Sequence, residues 1–326
     1  MLANLFRRPE AGAILGMVFV TIFFAAFGGS NFMTMGAVAS WLNVAANLGI
    51  IAIPIGFLMI AGELDISIGA MVPAASMIMG VVSGHFGLPI AVGVACTMGF
   101  ALLVGLVNGF LVIRTNVPSL IVTMGTLFAV AGLTLWGSLF LTGNTAVAMT
   151  APDWAKTLLG SFINDSLQVI VFWWLGFAAL CIYFLHYSPW GNWVFALGGD
   201  RVSARNGGIP TEKLTIGLFV LSSLAAGFVG MCQTVLYNSA QVSSGMSFIF
   251  NAIISVVIGG VLLTGGFGSV VGIFFGTITF AIVNQGIYYT EFDRNLSSLI
   301  IGVMLLSAVV MNNTFRQMAL SYKAKA

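Results

Sequence analysis

The chain has 326 residues, of which 59% are hydrophobic and only 6% are charged. Soluble domains usually carry about 25% charged residues, so eleven Lys and Arg with nine Asp and Glu are too few for a water-exposed surface of this size. The mean hydropathy of +1.07 and the continuous apolar runs favour a polytopic helical membrane protein and exclude an outer-membrane barrel, whose strands alternate. The net charge of +2 is too small to indicate a nucleic-acid partner.

The apolar runs predict an all-α protein with ten transmembrane helices in one domain, residues 1–326. About 20 apolar residues are needed to cross a hydrocarbon core of about 30 Å. The predicted spans are 11–29, 41–61, 66–83, 88–113, 118–141, 167–186, 214–236, 248–264, 267–284 and 296–312. The spans 66–83, 248–264 and 267–284 are short and bounded by glycine-rich breaks, so one of them could be re-entrant.

The basic residues predict the orientation of the chain. If both termini are cytoplasmic, nine of the eleven basic residues lie on the cytoplasmic side, as the positive-inside rule expects. Only Lys156 and Arg294 then lie outside. An odd number of spans would move a block of these charges outward and is disfavoured. The nine cytoplasmic residues are Arg7, Arg8, Arg114, Arg201, Arg205, Lys213, Arg316, Lys323 and Lys325.

Two pairs of polar residues repeat at helical spacing inside the apolar runs. Asn43 and Asn47 share one face of the second span, and Asn251 and Ser255 repeat the spacing in the eighth. A polar side chain in hydrocarbon must be hydrogen-bonded, so these faces contact protein or water. Two interpretations stay open, namely hydrogen bonding between helices and the lining of a path for a polar solute.

Two carboxylates stand between the second and third spans, within Gly62-Glu-Leu-Asp-Ile-Ser-Ile-Gly69. A charge at the bilayer centre costs at least about 2.5 kcal/mol, so Glu63 and Asp65 are expected to face a cavity, a partner or the interface. We favour a short cytoplasmic turn in which Asp65 or Ser67 caps a helix that begins near Ile66. The alternative is a coupling-ion site of a secondary carrier.

The polar segment 187–213 is long enough to have structure of its own, as is 142–166 on the outer side. Asp200 can cap a short helix that runs to about Asn206, where two glycines and then Pro210 stop it. Such a helix is either a solvated connector or a docking element for a cytoplasmic partner. We favour the docking element.

Motifs for catalysis and cofactor binding are missing from the sequence. It contains no P-loop, nucleophile elbow or H-E-x-x-H motif. Cys96, Cys181 and Cys232 are far apart and are expected to be small buried hydrophobes rather than a disulfide or metal framework. The sequence therefore predicts a transport subunit that is not an enzyme and has neither metal nor cofactor of its own.

Four motifs occur in order along residues 40–312. They are Gly62–Gly69, Val-Pro-Ser-Leu-Ile-Val-Thr-Met-Gly-Thr at 117–126, the loop 191–209, and the run 252–276 with Ile-Gly-Gly and Thr-Gly-Gly-Phe-Gly-Ser-Val-Val-Gly. Together they resemble the permease subunit of ABC importers of the ribose and simple-sugar family. Two departures, at Glu63 and at Arg205-Asn206-Gly207, leave the identity of the substrate and of the partner open.

The resemblance implies translocation of a simple sugar or sugar-like polyhydroxy solute across the bacterial inner membrane. It also implies a second permease chain, identical or not, and a sugar-binding protein outside the membrane. A cytoplasmic ATPase, usually with two fused nucleotide-binding domains, would carry ATP and Mg²⁺. The alternative function is ion-coupled secondary transport of a small polar solute.

The resemblance assigns the coupling residues, and the chemistry of the side chains suggests the others. By position, the segment that couples to the ATPase comprises Gly198, Gly199, Asp200, Arg201, Ala204, Arg205, Asn206, Gly207 and Gly208. Because uncharged hydrogen-bonding groups suit a neutral polyhydroxy solute, the predicted translocation pathway comprises Asn43, Asn47, Thr123, Asn251 and Ser255. Glu63, Asp65 and Ser67 are predicted to form a structural turn.

Overall fold

The structure is a computed structural model that describes residues 9–115, 117–243, 245–291, 293, 295–296, 298–303 and 306. Most of these residues are helical. In chain order the helices are α1 (Pro9–Phe32), α2 (Met35–Ile60), α3 (Ile68–Met79), α4 (Ile90–Thr115), α5 (Ser119–Thr142), α6 (Asp153–Leu159), α7 (Ile170–Tyr187), α8 (Pro189–Gly199), α9 (Arg201–Asn206), α10 (Thr211–Tyr237), α11 (Met246–Ile258) and α12 (Val270–Gly286). Helix α3 continues as a π-helix, Gly80–His85, and α12 as a 3₁₀ turn, Ile287–Tyr289.

Eight of the helices in the described part of the chain are long and apolar enough to cross a membrane. They correspond to the predicted spans except the eighth and the tenth. The eighth, 248–264, corresponds to α11, which has only 13 residues, or about 20 Å at 1.5 Å per residue. The tenth, 296–312, lies largely outside the described residues. The prediction of a polytopic all-helical membrane protein is confirmed.

Helix α2 is the most deeply buried of the long helices and packs against α7, α10, α11 and α12. A close approach to α7 is possible because Gly49 has no side chain, and a Cβ there would collide with the Trp174 indole. That indole is fully buried and stacks on Phe274 of α12, with ring centroids 4.3 Å apart. The aromatic pair therefore joins three helices at the centre of the bundle.

Four helices lie at the periphery, because α1, α4, α5 and α7 leave most of their apolar surface exposed in the single chain. The exposed residues include Cys96 of α4, so the expectation that all three cysteines are buried is wrong for this one. Its side chain lies on the outer surface of the helix, which a bilayer or another chain can cover without burial inside the fold. Cys181 and Cys232 are buried, as expected.

The strands form two small antiparallel sheets: β1 (Ala146–Ala148) with β4 (Ser239–Gln241), and β2 (Phe162–Ile163) with β3 (Leu167–Gln168). Strand β1 follows the last turn of α5, whereas the first turn of α5 contacts the turn between α2 and α3. The sheets and α6 therefore lie at one end of the bundle, the strand end. Helices α8 and α9 lie at the opposite end, the α9 end, beside the 62–67 turn.

Helix α11 begins partway along the bundle. At the C-terminal end of α3, a Cβ on Gly80 would collide with Ala240 of β4, and at its N-terminal end a Cβ on Gly245 would collide with Gly69 and Pro73. Residues 238–243 and 245 thus run back along α3 in non-helical form before α11 starts. Non-helical backbone at membrane depth is tolerated only where protein buries it or where it lines a water-filled cavity.

Candidate functional site

The segment predicted to dock onto a partner folds as α8 and α9. Asp200 is the N-cap of α9, and its carboxylate accepts a hydrogen bond from the Ser203 backbone N–H. That bond holds the pKa of Asp200 below its usual value. Helix α9 ends at Asn206, and Gly208 follows with a φ of +84°. The predicted capped helix is confirmed.

Most of α9 is exposed at this end of the molecule. Val202 is 68% exposed, whereas Ala204 is 6% exposed and faces the bundle. The neighbouring side chains of Ser203, Arg205 and Asn206 are exposed as well. A six-residue helix thus presents a cation, hydrogen-bonding groups and an apolar side chain on one accessible surface.

Arg201 differs from the other exposed residues of α9, because its guanidinium reaches into the bundle. Its Nη1 lies 2.7 Å from Glu63 Oε1, and its Nη2 donates a 3.2 Å hydrogen bond to Thr215 Oγ1. Glu63 is 9% exposed and follows α2, whereas Thr215 is buried in α10. One side chain therefore links α9 to two long helices.

The 62–67 turn satisfies its backbone through hydroxyl groups of α5. The Leu64 N–H donates to Ser119 Oγ at 3.0 Å, and the Ile66 N–H donates to Thr123 Oγ1 at 3.3 Å. Both hydroxyl residues are buried. Non-helical backbone at this position is thus paired inside the protein.

Asp65 occupies the centre of a buried polar cluster with an exposed fraction of 1%. Its Oδ1 accepts hydrogen bonds from the Ser67 N–H at 2.9 Å and the Ser67 hydroxyl at 2.6 Å, and Asn108 of α4 donates to Ser67 Oγ at 2.9 Å. On its other side, Ser222 of α10 donates to Asp65 Oδ2 at 2.8 Å. Burial raises the pKa of Asp65 above its usual value, and the hydrogen bonds counteract that shift in part.

The three predicted turn residues therefore come together, but not as a helix cap. Ser67 precedes α3, and its side chain makes no capping hydrogen bond. Asp65 bonds to the N–H of Ser67 itself, outside the helix. The turn is fixed by its contacts with α4, α5 and α10 rather than by the start of α3.

Backbone contacts between glycines join the same turn to α8. The Gly266 N–H donates a 2.8 Å hydrogen bond to the carbonyl of Ile60, the last residue of α2. A Cβ on Gly198 would collide with that carbonyl, and one on Gly265 would lie 3.2 Å from Gly62. Gly265 also has a φ of +80°, which favours glycine.

The predicted pathway residues lie in three separate places. Asn43 donates to the Ser166 carbonyl at 2.8 Å and accepts from the Gln168 N–H at 2.8 Å. Asn47 donates to Gln168 Oε1 at 3.0 Å and accepts from Gln233 Nε2 at 3.4 Å. These amides connect α2 to the β2–β3 hairpin and to α10 at the strand end.

The other three pathway residues are distant from that amide cluster. Thr123 of α5 accepts a hydrogen bond from the 62–67 turn at the α9 end. Asn251 and Ser255 lie on α11, where Asn251 is half-buried and the Ser255 hydroxyl is buried without a hydrogen-bond partner among the described residues. The structure therefore does not gather the five residues into one site.

Sequence reasoning missed the partners of these groups. Thr215, Ser119 and Gln168 lie near the ends of apolar runs, whereas Asn108 and Ser222 lie inside them. Hydroxyl and amide residues inside such runs are a signal of interior contacts. However, Asp65 and Ser222 are 157 residues apart and Asn47 and Gln233 are 186 residues apart, so spacing along the chain does not reveal these pairings.

The fold and this site define a polytopic helical membrane protein, in which membrane-length helices enclose polar side chains and a capped helix protrudes from one end. The protein-family profile described as branched-chain amino acid transport system / permease component matches residues 37–309. The chain therefore belongs to this permease family. No solved structure matches the chain.

Several named relatives are similar to most of the chain. The fructose import permease protein FrcC of Rhizobium meliloti is 27% identical, covering 97% of this chain and 88% of the relative. The autoinducer 2 import system permease protein LsrD of Photorhabdus laumondii is 28% identical, covering 81% and 79%. The inner membrane ABC transporter permease protein YjfF of Escherichia coli K12 is 29% identical, covering 84% and 83%.

These similarities place the protein among the permease components of ABC importers, as a multi-pass protein of the bacterial inner membrane. A permease of this kind works with an ATPase and with a solute-binding protein. None of the three relatives is named as an ion-coupled carrier.

Proposed function

We propose that this permease translocates a simple sugar or a sugar-like polyhydroxy solute, powered by ATP and Mg²⁺ on a separate ATPase. The names of two relatives, which import fructose and autoinducer 2, support a polyhydroxy solute over a branched-chain amino acid. The sequence itself carries no P-loop motif, which supports assigning hydrolysis to the partner.

The observation that carries the ATPase assignment is the exposed, capped helix α9. We propose that the segment Gly198–Gly208 docks into the ATPase, with Val202 and Arg205 on the contacting surface. Both side chains are largely exposed. An apolar residue beside an arginine is typical of the centre of a protein interface.

The distribution of charge supports a cytoplasmic location for the α9 end. Arg114 ends α4, and Lys213 lies in the first turn of α10, so both stand at the α9 end with Arg201 and Arg205. Lys156 of α6 lies at the strand end. A positive-inside arrangement requires such an asymmetry. The remaining basic residues, Arg7, Arg8, Arg294, Arg316, Lys323 and Lys325, lie outside the described residues.

The start of α1 also lies at the α9 end. Ser269 is the N-cap of α12, and its hydroxyl donates a 2.8 Å hydrogen bond to Glu10. The neighbouring Gly268 packs against Ile60 at the end of α2. We propose that the N-terminus is cytoplasmic, and the even number of predicted spans then makes the C-terminus cytoplasmic too.

Nucleotide binding to the ATPase would drive transport by shifting the population of permease conformations. Nucleotide binding favours one arrangement of the ATPase, and the docked α9 segment biases the permease toward the conformation that fits it. A second permease chain, identical or a sibling, would complete the pathway and cover apolar surface that the bilayer does not. The ATPase would supply two nucleotide-binding domains, usually fused.

Of the proposed pathway residues, Asn251 and Ser255 have the strongest support. They lie on α11, the short helix preceded by non-helical backbone, and broken helices of this kind line substrate sites in transporters. Asn43, Asn47 and Thr123 remain proposed pathway residues, although each is hydrogen-bonded within the chain.

Proteoliposomes that contain the permease, its ATPase and the binding protein test this function. We expect ATP enclosed with the ATPase to drive accumulation of one sugar from a radiolabelled panel that includes fructose and ribose. A matched preparation receives an imposed proton gradient without nucleotide. Accumulation under the gradient alone would contradict the proposal, and so would ATP-driven accumulation of branched-chain amino acids but not sugars.

A further inference from the structure

Arg201 stands out within the proposed docking segment. We infer that it is a positioning residue whose bonds to Glu63 and Thr215 transmit the movement of α9 to the central helices, and that it does not contact the ATPase. The inference rests on the proposed function, because it assumes that α9 is the docking element. It assigns different roles to two arginines that are only four residues apart.

The direction of the side chain supports this role. The Arg201 guanidinium donates to Glu63 in the 62–67 turn at 2.7 Å and to Thr215 of α10 at 3.2 Å. By contrast, Arg205 lies 3.9 Å from Glu212, and both of those side chains are mostly exposed. Arg201 therefore points inward and Arg205 outward.

The acceptor on the permease side lies at a junction of helices. Glu63 belongs to the 62–67 turn, which joins α2 to α3 and is hydrogen-bonded to α5 through Ser119 and Thr123. Two residues later, Asp65 bonds to Ser222 of α10. A displacement of Arg201 therefore acts on a turn that joins α2 to α3 and is hydrogen-bonded to α5 and α10.

The backbone around the pair leaves little room for independent movement. Gly198 of α8 lies against the Ile60 carbonyl, which also accepts the hydrogen bond from Gly266. Close-packed contacts of this kind have discrete rather than continuously variable arrangements. We infer that α8, α9 and the 62–67 turn move as one body when the ATPase closes.

The chemistry of the pair offers a direct test. Glu63 has few alternatives to Arg201, because it is 9% exposed and a buried carboxylate needs a partner. The Arg201 side chain is 43% exposed, so the pair is buried on the Glu63 side only. Each single charge reversal leaves a buried charge without its partner and is expected to lower folding stability, so the melting temperature of every variant is measured before transport.

The experiment uses the complete complex in proteoliposomes with Arg201→Glu, Glu63→Arg and the double variant. The probe is whichever panel sugar the wild-type complex accumulates fastest. Two quantities are measured, namely the affinity of the permease for the ATPase and the sugar transported per ATP hydrolysed. We expect each single variant to reduce sugar transported per ATP about 10-fold or more, with unchanged affinity. The double variant should recover most of that loss.

A second variant guards against misfolding. Arg201→Lys keeps the charge but has no planar fork to reach both acceptors, so we expect an intermediate ratio of sugar to ATP. Lys213→Gln removes a positive charge from the same end of the molecule. Lys213 forms no ion pair among the described residues, so this variant should leave the ratio of sugar to ATP unchanged. Equal ratios for Arg201→Lys and the wild type, together with a double variant that recovers nothing, would overturn the inference.

The two proposals fail in different ways. If Arg201→Glu weakens ATPase binding as strongly as Arg205→Gln, then Arg201 contacts the ATPase, and the inference fails while the docking assignment stands. If Arg205→Gln and Val202→Glu both leave ATPase binding unchanged, α9 is not the docking element, and the proposed function fails at that point.

Discussion

The Ser222 hydroxyl of α10 donates a 2.8 Å hydrogen bond to Asp65, 157 residues earlier in the chain. Both residues are buried, with exposed fractions of 1%. This contact ties the turn between α2 and α3 to a helix that enters the bundle only after the docking segment. The carboxyl group of Asp65 also makes the free energy of unfolding depend on pH.

Burial raises the pKa of Asp65 in the folded protein, whereas the unfolded chain has the ordinary value of about 3.9. As pH rises from that value, the unfolded state releases its proton first, so the free energy of unfolding falls until the raised pKa has been passed. Asp65→Asn removes this dependence and keeps one acceptor oxygen. We expect the melting temperature of the variant in detergent, relative to wild type, to increase with pH. A difference that decreases with pH would contradict the assignment.

The contact between Gly198 and the Ile60 carbonyl predicts a sharp contrast between adjacent glycines. Gly198→Ala places a methyl group into that carbonyl, and we expect a loss of about 1–3 kcal/mol in the free energy of unfolding. Gly199→Ala meets no atom within 4 Å and should change it by less than about 0.5 kcal/mol. Thermal unfolding of the two variants in the same detergent checks the difference. Equal losses would show that the close approach does not exist.

The Asp200 cap predicts the behaviour of α9. Asp200→Ala removes the acceptor for the Ser203 N–H, so we expect amide exchange across 203–206 to accelerate about fivefold and ATPase affinity to fall with it. Asp200→Ser can still accept that hydrogen bond and serves as the matched control. Hydrogen exchange followed by mass spectrometry measures the first effect. Normal exchange in Asp200→Ala would rule out the cap.

The amides of the proposed pathway predict two different phenotypes. Asn47→Leu leaves Gln168 and Gln233 without their partner, so we expect reduced sugar uptake together with a stability loss of about 1–3 kcal/mol. Asn251→Leu on α11 should reduce uptake with complex assembly and melting temperature unchanged. Uptake, co-purification of the ATPase and thermal unfolding are measured side by side. Unchanged uptake in Asn251→Leu would remove that residue from the pathway.

The membrane-spanning architecture could be predicted because hydrophobicity is a property of consecutive residues. Runs such as 90–115 and 211–237 must be helical in a bilayer, since each helix satisfies its own backbone hydrogen bonds. The start of α9 could also be predicted from neighbouring residues, because Asp200 and Ser203 are only three residues apart. The length of α11 was harder to predict, since an apolar run does not reveal where the backbone leaves a helix against α3.

Sequence alone thus established the class of protein, eight of the membrane-length helices within the described ranges and the position of the protruding α9, all of which depend on neighbours along the chain. Only the tertiary structure decided that Arg201 faces Glu63 and Thr215, that Asp65 meets Ser222, and that Thr123 supports a turn. Those contacts join helices far apart in sequence, and their geometry is fixed by how the whole bundle packs.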